Sequence, residues 1–183
     1  MIYHFSLAQV SIALGILAII TNGLVLWKFQ QSKTFLLQLH RNYKLGIILF
    51  ALAVAWTIWI VFNIDLMEYT RLRGHFIFVV LLIAGCVIKF LPDYLSVRAL
   101  GILLLLAANI LLDATFLRDD PARLIITVLA YVMAIVGMFH VGAPYLARDA
   151  IAWLYQNEKR ARFRGIFGLV LGILLLALGI FVY

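Results

Sequence analysis

The sequence predicts an all-α, polytopic integral membrane protein whose six transmembrane helices form three helical hairpins. Two observations carry this prediction: long apolar runs recur along the chain, and cations cluster in alternate gaps between them. Of its 183 residues, 66% are hydrophobic, and the mean hydropathy is +1.10. Soluble domains contain only about 45–50% apolar residues. Because lipid must cover the excess apolar surface, we treat residues 1–183 as a single transmembrane domain.

Each apolar run is long enough to cross about 30 Å of hydrocarbon as an α-helix. The predicted spans are residues 5–27, 45–63, 75–91, 97–117, 124–146 and 163–183. Pro92 ends the third span because proline cannot continue the helical hydrogen-bond ladder. Asp119, Asp120 and Pro121 form the turn before the fifth span.

The basic residues set the predicted orientation of the spans. Most of the 15 Lys and Arg residues fall in the first, third and fifth gaps. These residues are Lys28, Lys33, Arg41, Lys44, Lys89, Arg98, Arg148, Lys159, Arg160, Arg162 and Arg164. By the positive-inside rule, those gaps face the cytoplasm and both termini lie outside. We therefore predict a bacterial inner-membrane protein with periplasmic termini, in which each hairpin turns through a basic cytoplasmic segment.

The fifth gap carries more positive charge than orientation alone needs. Residues 147–162 mix aromatic side chains with cations, a composition typical of an amphipathic segment in the membrane interface. Its predicted lipid-facing cations, with the one that follows, are Arg148, Lys159, Arg160, Arg162 and Arg164. We expect them to contact anionic head groups, with a partner-docking surface as the alternative. The net charge of +7 then needs no nucleic acid as a partner.

Small residues line one face of the first and of the last predicted span. In lipid, such residues let two helices approach closely and pack. The predicted helix-packing residues are Gly165, Gly168, Gly172 and Gly179 on the last span and Ala8, Ser11, Gly15, Ala18 and Asn22 on the first. These stripes either hold the six helices together or turn the last helix toward a neighbouring subunit.

One acidic residue, Asp113, lies well inside a predicted span, and Asn109 lies one turn away on the same face. A charge in hydrocarbon costs at least about 2.5–3.5 kcal/mol, so Asp113 should face protein or water. A structural ion pair or cap is one interpretation, with Arg118 as a candidate partner near the end of the span. A proton or ion path along this face is the other.

The four histidines divide between the two sides of the membrane. His4 and His75 fall at the predicted outer ends, and His40 and His140 fall at the inner ends. Two such pairs suit bis-histidine haem ligation, since haem iron takes axial imidazoles. Against this, His4 and His40 fall outside the predicted hydrocarbon, so our prediction is a protein without a cofactor or a metal.

The sequence contains none of the common catalytic motifs, such as HExxH, GxSxG or a Gly-rich phosphate loop. We therefore predict a non-enzymatic subunit that scaffolds or stabilises a larger membrane complex, either with other subunits or with itself. A small transporter or channel component that uses the Asp113 face is the first alternative. A haem-bearing electron-transfer subunit is the second.

Overall fold

The computed structural model describes residues 5–39, 42–64, 67–116, 118 and 120–183, and its architecture is all-α. The helices are α1 (Leu7–Trp27), α2 (Phe29–Gln38), α3 (Tyr43–Asn63), α4 (Arg73–Phe90), α5 (Leu95–Thr115), α6 (Arg123–Gly142), α7 (Pro144–Gln156) and α8 (Glu158–Phe181). A short 3-10 helix, Met67–Leu72, precedes α4. Within these described ranges, six helices (α1, α3, α4, α5, α6 and α8) are long and apolar enough to cross a membrane. The prediction of a six-span, all-α membrane protein is confirmed.

The fifth span is shorter than predicted. We expected it to reach residue 146, but α6 ends at Gly142 and α7 begins at Pro144. Between them, Ala143 has φ −133° and ψ 66°, outside the helical region. Proline lacks an N–H and its ring clashes with the preceding turn, so Pro144 fits the first position of a new helix.

The predicted interfacial segment 147–162 belongs to two helices. Its first part lies in α7, but the last helix begins at Glu158, five residues earlier than the predicted residue 163. Asn157 caps this helix, since its side-chain oxygen accepts a hydrogen bond of 3.0 Å from the backbone N–H of Lys159. The cations from Lys159 onward therefore project from the first turns of a membrane-spanning helix.

A second short helix, α2, occupies the gap between the first two spans, to which the sequence pattern assigned no helix. Its ten residues mix polar and apolar types without a long apolar run, and none is buried. The ring of Phe29 lies 5.8 Å from the ring of Tyr155 in α7. Thus the two short helices, α2 and α7, meet at the same end of the bundle.

The first and last spans pack against each other as an antiparallel pair. Gly15 lies against Gly172, and Leu26 lies against Gly165. A Cβ on Gly15 would stand 2.8 Å from the carbonyl oxygen of Gly172, so the two backbones are nearly in contact. The buried hydroxyl of Ser11 donates a 2.6 Å hydrogen bond to the Leu175 carbonyl across this interface.

Helix α5 is the centre of the bundle. It packs antiparallel to α6, where Gly101 lies against Gly137, and parallel to α3, where Ser96 lies against Gly46. A core of buried apolar residues from α1, α5, α6 and α8 surrounds its second half. The two spans of each predicted hairpin (α1 and α3, α4 and α5, α6 and α8) follow one another in the chain, but they are not the main packing partners. The extensive contacts join α1 to α8, α5 to α6 and α3 to α5.

These packing pairs place the end of α1, the start of α3 and the start of α8 on one side of the bundle. The end of α4, the start of α5 and the end of α6 lie on that same side. This side also carries α2 and α7, and we call it the basic face. That this face is the cytoplasmic side stays a prediction of the positive-inside rule.

Candidate functional site

The cations predicted to face lipid differ in their surroundings. Arg148 bonds to two groups: its Nε donates a 2.8 Å hydrogen bond to Asp149, and its Nη1 donates a 3.0 Å bond to the Tyr94 hydroxyl. Arg162 donates bonds of 3.0 and 2.6 Å to Glu158, one helical turn earlier. Both arginines are thus neutralised locally by a carboxylate.

Lys159, Arg160 and Arg164 stand apart from those two pairs. Within the described residues, none of the three forms an ion pair or a side-chain hydrogen bond with a carboxylate. Together they border a pocket of about 480 Å³ between α7 and α8. The rest of its lining is apolar: Trp153, Leu154 and Phe163. We call this the α7–α8 pocket.

The guanidinium of Arg160 is held over an aromatic ring. Its Cζ lies 4.7 Å from the ring centroid of Trp153, a cation–π contact. Within the described residues this guanidinium has no carboxylate partner, so its N–H donors stay available to an oxygen ligand. The pocket therefore pairs a positioned cation with an exposed apolar surface.

Tyr155 holds α7 against its neighbours beside the pocket. The side chain is only 3% exposed, and its hydroxyl has no hydrogen-bond partner among the described residues. Burial raises the pKa of Tyr155, while the charge of Arg164 opposes that shift. The hydroxyl therefore stays protonated at neutral pH, and the ring serves as an anchor for the pocket wall.

A second cleft on the basic face has a volume of about 570 Å³ and reaches from Tyr43 across the turn before α5 to Arg148. Tyr94 in that turn has φ 58° and ψ 24°, the left-handed conformation, which costs a non-glycine residue about 1–2 kcal/mol. Its hydroxyl accepts the hydrogen bond from Arg148. Asp149 and then Tyr94 raise the pKa of Arg148 above its usual value. The sequence pattern missed this link because α5 and α7 are distant in the chain.

The glycine stripe of the last span lies against the first span. A Cβ at Gly168 would collide with the Asn22 amide, and a Cβ at Gly179 would stand 3.0 Å from the Ile12 backbone nitrogen. Gly172 lies against Ala18, and Gly165 against Leu26. In this structure α1 occupies the face that we considered for a neighbouring subunit.

Asp113 and Asn109 lie on α5 as expected from their spacing, with Asp113 half-buried and Asn109 exposed. The groove beside them, between α1 and α5, has a volume of about 390 Å³. Its α5 wall consists of Ala107, Ile110 and Leu111, and neither polar residue lines it. A proton or ion path and an ion pair with Arg118 both stay predictions.

Of the predicted histidine pairs, His4 and His40 lie outside the described residues. His75 is exposed near the start of α4, and His140 is half-buried near the end of α6. The Nδ1 of His140 lies 2.7 Å from the Val136 carbonyl of its own helix. The two described histidines are at opposite ends of the bundle, and haem ligation stays a prediction.

These observations define the class of the protein: an all-α integral membrane protein with six candidate spans, in contact with the lipid bilayer. No protein-family model matches the chain, and neither a curated protein nor a solved structure matches it.

Proposed function

We propose that this six-span protein is a non-catalytic subunit that stabilises a larger membrane complex, and that α4 is the helix that meets the partner. The observation that supports the proposal is the exposure of α4. None of its 18 residues is buried, whereas every other candidate span has at least three buried residues.

The contacts of α4 support this choice of helix. Its half-buried residues form one stripe that faces α3: Arg73, Ile77, Val80, Ala84 and Val87. Gly85 lies off this stripe, and a Cβ there would meet none of the described residues within 4 Å. Close approach of a second helix favours such small residues, because helix association in lipid depends on van der Waals contact.

Two hydroxyls within the spans bond inside their own helices, which is consistent with a non-catalytic role. The Thr57 hydroxyl donates to the Ala53 carbonyl at 2.9 Å, and the Thr127 hydroxyl donates to the Arg123 carbonyl at 3.0 Å. In both cases the bond stays within one helix and satisfies the hydroxyl locally. These two threonines therefore contribute to the structure of their own helices.

Cys86 makes the proposal testable with little change to the chain. It is the single cysteine of the sequence, and it is exposed on α4. A photo-crosslinker attached to Cys86 in native membranes reports what covers this face. A matched control places the crosslinker on α8, in a Cys86→Ala, Val170→Cys variant, since Val170 is also exposed, by 56%.

We expect the Cys86 crosslinker to capture one protein in fixed stoichiometry and the Val170 crosslinker to capture mainly lipid. The captured protein should also lose abundance in cells that lack this chain, because a stabilising subunit protects its partner from degradation. The proposal is wrong if both positions capture the same mixture, or if removal of the chain leaves the captured protein at its normal level.

A further inference from the structure

We propose that the α7–α8 pocket is a binding site for an anionic glycerophospholipid, with Lys159, Arg160 and Arg164 around the phosphate and Trp153, Leu154 and Phe163 against the acyl chains. This inference is independent of the proposed role of α4. It concerns a different end of the molecule and a different ligand.

The charge of the pocket favours an anion. Of the five cations between Arg148 and Arg164, the two outside the pocket each have a carboxylate partner, and the three at the pocket do not. The nearby carboxylates are engaged elsewhere, since Asp149 pairs with Arg148 at 2.8 Å and Glu158 pairs with Arg162 at 2.6 Å. The pocket therefore keeps an uncompensated positive charge.

The apolar lining favours a lipid over a free anion. Trp153 is 57% exposed and Phe163 is 72% exposed, although both are large apolar side chains. A soluble phosphate would leave these two rings uncovered. A phospholipid covers them with its chains while its head group reaches the cations, as expected for residues at the membrane interface.

The pocket lies at the start of α8, the end of a candidate span, where lipid phosphates are expected. Lys159, Arg160, Phe163 and Arg164 project from the first two turns of a helix that continues as an apolar span to Phe181. Arg160 lies 4.7 Å from the Trp153 ring centroid, a contact that favours this placement of the guanidinium before the lipid arrives. A preorganised cation loses less conformational entropy when it binds a ligand.

The test is native mass spectrometry of the full-length protein in a neutral detergent. Phosphatidylglycerol and phosphatidylcholine with identical acyl chains are titrated separately, and the bound fraction is measured. Variants are Arg160→Gln and Arg164→Gln, and the matched control is Arg162→Gln, which removes the same charge from the same helix outside the pocket. A further arm adds inorganic phosphate as a competitor.

We expect phosphatidylglycerol to bind more tightly than phosphatidylcholine by about ten-fold or more, because each cation near a head group contributes roughly a factor of five. Each pocket variant should weaken phosphatidylglycerol binding by about five-fold, and Arg162→Gln by less than about two-fold. Millimolar phosphate should not displace the lipid, since the acyl chains hold it in the pocket.

Three results overturn the proposal: equal binding of the two lipids, an equal loss in Arg162→Gln and Arg160→Gln, or displacement by inorganic phosphate, which identifies a free-anion site. If either pocket variant fails to insert, Lys159→Gln serves instead, because the Lys159 side chain is exposed. It should show the same five-fold loss, and unchanged binding in Lys159→Gln also overturns the proposal.

Discussion

Helices α4 and α5 have similar apolar character and opposite surroundings. Both are candidate spans, yet α5 has nine buried residues and α4 has none. Small residues on α5 meet other helices, as Gly101 meets Gly137, whereas Gly85 on α4 has open space around it. Apolar content thus sends both helices into the membrane, and the surface shape of each helix determines whether protein or lipid covers it.

The largest expected effect is the difference in stability between substitutions at Gly101 and at Gly85. Replacement of Gly101 by Leu should destabilise the bundle by about 3 kcal/mol or more, because even a Cβ would lie 2.8 Å from the Gly137 carbonyl oxygen. The matched variant, Gly85→Leu, should change stability by less than about 0.5 kcal/mol. Unfolding of the purified protein in mild detergent measures both. A large loss in Gly85→Leu would mean that a described surface of α4 is packed within the monomer.

A smaller loss of stability is expected at the hydrogen bond that links α5 to the start of α3. Ser96 is 1% exposed, and its hydroxyl donates a 2.8 Å hydrogen bond to the Asn42 carbonyl. Ser96→Ala should lower stability by about 1 kcal/mol, the usual contribution of an interhelical hydrogen bond in a membrane protein. Thr57→Val is the control, since its hydroxyl bonds within its own helix. Equal losses in the two variants would contradict an interhelical role for Ser96.

The smallest effect concerns the turn between α5 and α6, and it depends on pH. The Tyr183 hydroxyl donates a 2.6 Å hydrogen bond to the Ala122 carbonyl, and burial, with a smaller effect of Asp120, raises the pKa of Tyr183. A raised pKa in the folded state means that the unfolded chain loses this proton first. The stability is therefore complete below about pH 10 and falls as the pH rises through the folded pKa.

Tyr183→Phe should cost about 0.5 kcal/mol at neutral pH and remove this part of the alkaline loss. Thermal unfolding between pH 8 and pH 11 measures the change, with Tyr131→Phe as the control, because Tyr131 is exposed, by 57%. An alkaline loss of the same size in Tyr183→Phe and in the parent protein would show that the dependence arises elsewhere.

Much of the fold could be predicted from the sequence, because the length and apolar content of a segment determine whether it can cross the lipid bilayer as a helix. The spans that became α1, α3, α4 and α5 begin and end within two residues of their predicted bounds. The predicted end of the fifth span was wrong because the apolar run continues past Pro144, whereas the helix cannot continue through this proline. The predicted start of the last span was also wrong, since α8 begins at Glu158. A charged first turn of a helix and an interfacial segment have the same composition.

The candidate site could be predicted only as a region. The basic character of residues 147–164 is visible in the sequence, and so is the presence of Trp153 among the cations. Which cations stay without a carboxylate partner is not visible, because it depends on helix geometry. Arg162 reaches Glu158 one turn away, and Arg148 reaches Tyr94, which is distant in the chain.

The sequence by itself determined that the chain enters the membrane six times and that its cations gather on alternate connections. Both properties depend on residue types and their order, since transfer to lipid is a property of each segment alone. Only the tertiary structure decided that α1 pairs with α8, that α4 has no buried residue, and that three cations line one pocket with Trp153 and Phe163. Those properties depend on how well two helix surfaces fit together, and the sequence of one segment describes only one of the two surfaces.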